Sequence, residues 1–323
     1  MNKDFYTFFT RELLSDLEIL EKRRKKIKLW FYLIFYGGYF LYAVNIYFLT
    51  LGIEELSTFL FAISVIFAMF GWFYIPIVAV NSRIQNFRRL RVIYKNKIMF
   101  KILGFMFDDY EYIPRQKLSY NVLNNSNLLM HNRFKITEST MGEDYLKCVF
   151  GNSTIQFSEM NVYKFRLIKS TISFRGLFIS ASFNKNLNYK TIVLSKSKTS
   201  YLTRLSLTIK EAMNNGHLIT LENSEFNKNF LVYGEDQVEA RYVLSSSFME
   251  KLLAYKEKIN NNIAFSFVNN RMYAAIHTSK NHFEPNYSKP LTDFEEVLKH
   301  YTHFKIFTEI VEDLELQLRL WNE

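Results

Sequence analysis

The chain opens with apolar residues at helical spacing. Phe5, Phe8, Phe9, Leu13, Leu17 and Leu20 recur every three or four positions with charged residues between them, which predicts an amphipathic helix over residues 1–28. The pattern then loses its polar face. Residues 29–51 and residues 56–80 contain no charged side chain. At about 1.5 Å of rise per residue, each run is long enough for a hydrocarbon core of about 30 Å. Two transmembrane helices are expected, closed into an antiparallel hairpin by a short external loop at 52–55. Residues 81–140 follow as a basic juxtamembrane helix and connector, helical in spacing from Ile84 to Phe105.

From Tyr145 the period changes to two. Leu146, Cys148 and Phe150 alternate with polar residues, Gly151-Asn152 supplies a turn, and Ile155 and Phe157 resume the alternation. Further strands are predicted at Ile172–Phe183, Thr191–Leu194, Phe230–Tyr233 and 238–243. Ile263–Val268 and Arg271–Ile276 flank Asn269-Asn270 as a hairpin with a two-residue turn. Ser247-x-x-Glu250 and Thr292-x-x-Glu295 read as capping boxes, opening helices that run to about Ile259 and Trp321. Residues 141–323 are thus expected to form a cytoplasmic α+β domain with antiparallel strands and a long C-terminal helix. The fold class is a membrane protein in which that domain hangs from a two-helix hairpin.

Charge adds an orientation. The chain of 323 residues has a formal net charge of +10, and residues 1–101 hold 15 Lys and Arg against 7 Asp and Glu. Lys22, Arg23, Arg24, Lys25, Lys26 and Lys28 precede the first span; Arg83, Arg88, Arg89 and Arg91 follow the second; the loop between has neither Lys nor Arg. Cationic flanks stay inside, so both termini are expected in the cytoplasm of a bacterial inner membrane. Basicity concentrated there reads as topology, and no nucleic acid is expected as partner. The lone Cys148 excludes an intrachain disulfide and fits a small core residue.

The landmarks that follow the spans are Gly142-Glu143-Asp144, Phe157-Ser158-Glu159, Phe174-Arg175-Gly176-Leu177-Phe178, Leu221-Glu222, Glu225-Phe226, Phe230 and Asp236-Gln237-Val238-Glu239-Ala240-Arg241-Tyr242. In this order, and over roughly residues 10–321, the chain resembles the bacterial membrane family known as domain of unknown function 3137, often labelled "galanin". The resemblance implies a membrane protein with a cytoplasmic domain. It also implies a LemA-type membrane protein as a partner, and it brings no activity or cofactor.

Candidate chemistry is sparse. Glu222, Glu225, Asp236 and Glu239, with Arg241 near in sequence, form the densest carboxylate group. On a strand Glu239 and Arg241 would share a face, and such pairs do acid–base work or form structural ion pairs. Arg175 lies in an apolar strand; if buried it needs a carboxylate, Glu159 or Glu143, and a phosphate or headgroup is the alternative. His300-x-x-His303 with Glu296 one turn earlier has two ligands of a metal set without a third or fourth, so it reads as helix surface. There is no nucleophile elbow, no GxGxxG and no GxxxxGK[ST] loop. No catalytic residue, metal or cofactor is expected. The leading reading is a membrane-anchored binding or scaffold module engaging a protein or lipid partner. The alternatives are a membrane-bound enzyme using the 222–241 group, and a subunit of a pore-forming homo-oligomer.

Overall fold

The structure, a computed structural model, describes residues 2–50, 58–128, 140–151, 153–165, 170–182, 186–196, 216–259, 261–278 and 281–319. Residues 52–55, expected as the external loop, lie outside these, as do Asn152, Phe183 and Trp321. The chain forms two compact units, one of Met1–Lys101 with Glu284–Leu298, the other of Ile102–Phe283 with Lys299–Glu323.

The first unit is helical. Helix α1 (Asn2–Phe8), a π-helical turn at Phe9–Leu13 and helix α2 (Leu14–Thr50) follow one another without a break. The expected amphipathic helix therefore continues directly into the first apolar run. Its apolar stripe is buried inside the protein: Phe5, Phe9, Leu13, Leu17 and Leu20 are all at most 4% exposed, and the Phe294 ring meets Phe5 at a tilt and Tyr6 and Phe9 edge to face. Helix α3 (Thr58–Tyr94) leads into a second π-helical turn at Lys95–Met99. Contacts between α2 and α3 descend along one helix as they ascend along the other. Arg83 lies over the Phe31 ring, Tyr39 meets Trp72, and the Tyr42 hydroxyl donates to the Ala68 carbonyl. The helices are therefore antiparallel. A Cβ on Gly38 would press on the Ile75 side chain at 2.8 Å, whereas one on Gly37 would meet nothing; the small residue at 38 is what lets the helices approach.

The second unit is built on one nine-stranded sheet in the order β1-β2-β3-β4-β9-β8-β5-β7-β6. The strands are β1 (Tyr110–Ile113), β2 (Thr140–Phe150), β3 (Ser153–Phe165), β4 (Ser170–Ser182), β5 (Thr191–Ser195), β6 (His217–Ile219), β7 (Phe230–Gly234), β8 (Ile263–Val268) and β9 (Arg271–His277). Every pairing is antiparallel, as the short turns predicted. The β8–β9 hairpin turns on Asn269, in a left-handed conformation at φ 55° that Asn tolerates better than most side chains. Two strands, β2 and β3, are much longer than the sequence pattern suggested, whereas β4 nearly matches the expected Ile172–Phe183.

Among the described residues there are six further helices: α4 (Phe100–Met106), α5 (Tyr120–Asn125), α6 (Ser224–Asn229), α7 (Gln237–Val243), α8 (Ser246–Ile259) and α9 (Phe294–Arg319). On one face of the sheet, Leu118, Leu123 and Leu128 pack with Met160, Phe174, Phe178, Ile192 and Ala264. On the other, Phe248 of α8 meets Phe267 and Phe304 of α9 meets Phe157. A sheet covered on both sides needs apolar residues at consecutive positions, which is why all six residues of β8 are buried.

Three local expectations are corrected. Residues 238–243, predicted as a strand, are helix α7, because the Asp236 carboxylate accepts from the Glu239 amide and caps that turn. The cap of α8 is Ser245, whose Oγ accepts from the Phe248 amide, not Ser247. The cap of α9 is Asp293, whose carboxylate accepts from the Glu295 amide at 3.0 Å, not Thr292.

Candidate functional site

Two places collect polar groups in ways the fold has to arrange. The first is a buried acidic cluster in the sheet unit. Between Glu143 and Leu146 the β2–β3 register slips, because β2 carries one extra residue. Asp144 takes the strain at φ 60°, and its amide leaves the ladder to donate to the Pro114 carbonyl at 3.0 Å. Such a bulge re-aims a side chain. Here it turns the Asp144 carboxylate inward, where Glu143, Asp144 and Glu159 bring their oxygens within 4.8 Å of one another. Asp144 is fully buried and Glu159 is 8% exposed.

The surroundings of the cluster are protein groups. The Tyr112 hydroxyl donates to Asp144 Oδ1 at 2.7 Å; burial, and then the Asp144 charge, push its ionisation well above the ordinary tyrosine range. Glu159 Oε1 accepts from the His282 amide. The His282 ring lies 3.3 Å from His303, Nδ1 to Nδ1, and His300 Nδ1 is 2.5 Å from the His282 carbonyl oxygen. His300 is thus 6% exposed and not the surface residue its spacing suggested. Glu296, the third member of that pattern, pairs instead with Lys289 at 2.6 Å. Three carboxylates at this spacing have the donor chemistry of a hard cation site, and they equally suit a shared proton.

The second place is a groove of about 470 Å³ in the helical unit, between α2 and α3. Arg23, Lys26, Ile27, Trp30 and Ile34 line it from α2, and Ser82, Asn86, Arg89, Leu90 and Ile93 from α3. Each set repeats every three or four residues, so each is one helix face. Asn86 Nδ2 is tied to the Ser82 carbonyl at 2.9 Å.

The basic residues expected to orient the chain fall into two groups. Arg24 is buried and bidentate on Glu21, and it donates to the Tyr287 carbonyl. Arg91 and Lys95 both reach Glu284, and Lys97 and Lys101 share Asp16. Lys22, Arg23, Lys25, Lys26, Arg83, Arg88 and Arg89 are exposed, and Lys28 is half-buried.

The carboxylates singled out around 222–241 are spent on local structure. Glu222 pairs with Arg241 at 2.7 Å, and that hydrogen bond holds it below the ordinary carboxylate range. Arg241 also donates to the carbonyls of Gln237 and Thr220. Glu225 lies beside Lys228 and accepts from Asn229. Asp236 is the α7 cap, and Glu239 accepts from the amides of Asn188 and Tyr189. Arg175 is exposed and reaches Asn281 in place of the expected Glu159 or Glu143, because β4 points it away from the core while Phe174 points in. Sequence reasoning missed the acidic cluster as a group and the groove altogether. The signal for the first was present in two landmarks, Gly142-Glu143-Asp144 and Phe157-Ser158-Glu159, which β2 and β3 lay side by side.

Comparison with known proteins finds a family match over part of the chain. The family described as protein of unknown function (DUF3137) matches residues 172–316. No curated protein matches the chain. Among solved structures, the crystal structure of the mycobacterial trehalose monomycolate transport factor A, TtfA, is similar at 10% sequence identity and a TM-score of 0.33, covering 68% of this chain and 94% of that one.

Proposed function

We propose that the protein is an anchored module of a bacterial inner membrane whose folded domain engages a protein or lipid partner on the cytoplasmic side. It spans the bilayer twice, over residues 29–51 and 56–80. One observation carries this reading. The helix that includes residues 29–48 holds a stretch long and apolar enough to cross a membrane, and none of that stretch is buried in the protein. Phe40 is 68% exposed on α2, and Phe73 is 69% exposed on α3. Apolar surface in water costs about 25 cal/mol per Å², and a run of such residues on neighbouring helices calls for lipid. The exposed cations fit the same picture. Because α2 and α3 are antiparallel, Lys22 to Lys26 and Arg83 to Arg89 fall at one end of the pair.

The test is fractionation with topology reporters. After extraction of membranes at alkaline pH, the chain is expected in the pellet. Green fluorescent protein fused after Glu323 is expected to fluoresce, and alkaline phosphatase inserted at Ile53 to be active. Recovery in the supernatant, or an active phosphatase fused after Glu323, overturns the reading.

A further inference from the structure

We propose that the groove between α2 and α3 is a binding site for one anionic glycerophospholipid, with Arg23, Lys26 and Arg89 on its phosphate. This deepens the membrane reading above and rests on it. The groove is graded along its length. The contacts of Phe31 with Arg83 and of Gly38 with Ile75 set the helix register. That register places Arg23 and Lys26 level with Arg89 at one end, and Trp30 and Ile34 level with Ser82 at the other. Ile34 lies within the apolar run and Arg23 lies before it, about 16 Å apart along the helix axis. A ligand that fits must therefore be anionic at one end and apolar at the other.

The cations supply a second argument. Several other basic residues of this unit are matched by carboxylates: Arg24 by Glu21, Arg91 and Lys95 by Glu284, and Lys97 and Lys101 by Asp16. Among the described residues, Arg23, Lys26 and Arg89 have no carboxylate within ion-pair distance, although they converge on one cavity. Three unmatched cations in a concave site repel one another unless an anion joins them. The two guanidinium groups suit a phosphate, which they can grip with paired N–H donors. Asn86 adds an amide beside them. Trp30 is half exposed at the boundary, where an indole ring favours the headgroup and glycerol level. A volume of about 470 Å³ lies within the range of small-ligand sites, enough for a headgroup and the first part of an acyl chain.

The experiment uses the full chain purified in detergent, with native mass spectrometry reading the bound lipid. Dioleoylphosphatidylglycerol is expected to bind about tenfold more tightly than dioleoylphosphatidylcholine. Removing the groove cations in R23Q/K26Q/R89Q is expected to weaken phosphatidylglycerol about fivefold per cation, roughly a hundredfold in all. The variant K22Q/K25Q/R88Q removes equal charge from the same helices outside the groove, and is expected to keep the preference. R89Q alone, with an expected loss of about fivefold, serves if the triple variant does not fold. Equal binding of the two lipids, an equal loss in K22Q/K25Q/R88Q, or displacement of phosphatidylglycerol by millimolar inorganic phosphate overturns the site. A chain that stays in the alkaline-extracted pellet but shows no lipid preference removes the groove inference and leaves the anchor standing. Release into the supernatant removes the anchor itself.

Discussion

Cys148 shows how burial decides what a side chain can do. The thiol sits on β2, 1% exposed, and burial pushes its ionisation up from 9.0 to about 12. Only the thiolate is nucleophilic. At pH 8 the thiolate fraction is therefore expected to be about a thousandfold below that of an ordinary thiol. Iodoacetamide is expected to leave the native chain unlabelled at pH 8 and to label it fully in denaturant, as read by intact mass. Rapid labelling of native protein would contradict the buried placement. This residue was legible in the sequence, because strand alternation put it inward. Arg175 was not. Alternation gave its strand, but in a sheet covered on both faces only packing tells which exposed position escapes cover, and Asn281 is far away in sequence. Gly176 beside it is equally illegible: a Cβ there would overlap the Ile276 carbonyl oxygen, a clash created by the β4–β9 pairing.

The helices and strands were readable in proportion to how many of their positions are apolar. The long apolar runs and the β8–β9 hairpin are apolar at nearly every position and were evident. β1 and β6 were not, since each buries a single residue, Tyr112 and Ile219. Residues 238–243 misled because Val238, Ala240 and Tyr242 alternate with polar neighbours, yet one cap at Asp236 was enough to make the segment a helix. The basic flank of α2 also divides in a way that composition hides. Arg24 and Glu21 are buried together, and Glu21 Oε2 also accepts from the Leu291 amide. Breaking a buried pair leaves a charge without compensation. R24Q is therefore expected to cost about 3 kcal/mol, whereas R23Q, one residue away and exposed, is expected to change stability by about 0.5 kcal/mol or less. Chemical unfolding of the full chain in detergent measures both. Equal costs would mean that Arg24 is not the internal strut the geometry indicates.

The family match and the fold do not share a boundary. The match starts at residue 172, inside β4, whose partner β3 lies before it in the chain. The matched stretch accordingly omits β1 to β3 and the acidic cluster with them. The cluster escaped detection in the sequence for a related reason. Its three carboxylates are close in number, but the His282 amide that Glu159 accepts from lies 123 residues away.

The division into units has a consequence for taking the molecule apart. The chain leaves the helical unit after Lys101, returns to it at Glu284 and leaves again after Leu298. The returning stretch is sewn in by Glu284, Tyr287, Leu291 and Phe294. Severing one peptide bond therefore does not separate the pieces. With a protease site inserted at Asp108-Asp109, the nicked halves are expected to travel together through gel filtration and to part only in denaturant. Halves that part under native conditions would show that the stitching does not hold. Nor can either unit be cloned as one continuous segment: the helical unit needs residues 284–298, encoded nearly nine-tenths of the way along the gene, so helical unit and sheet unit can be exchanged between relatives only together.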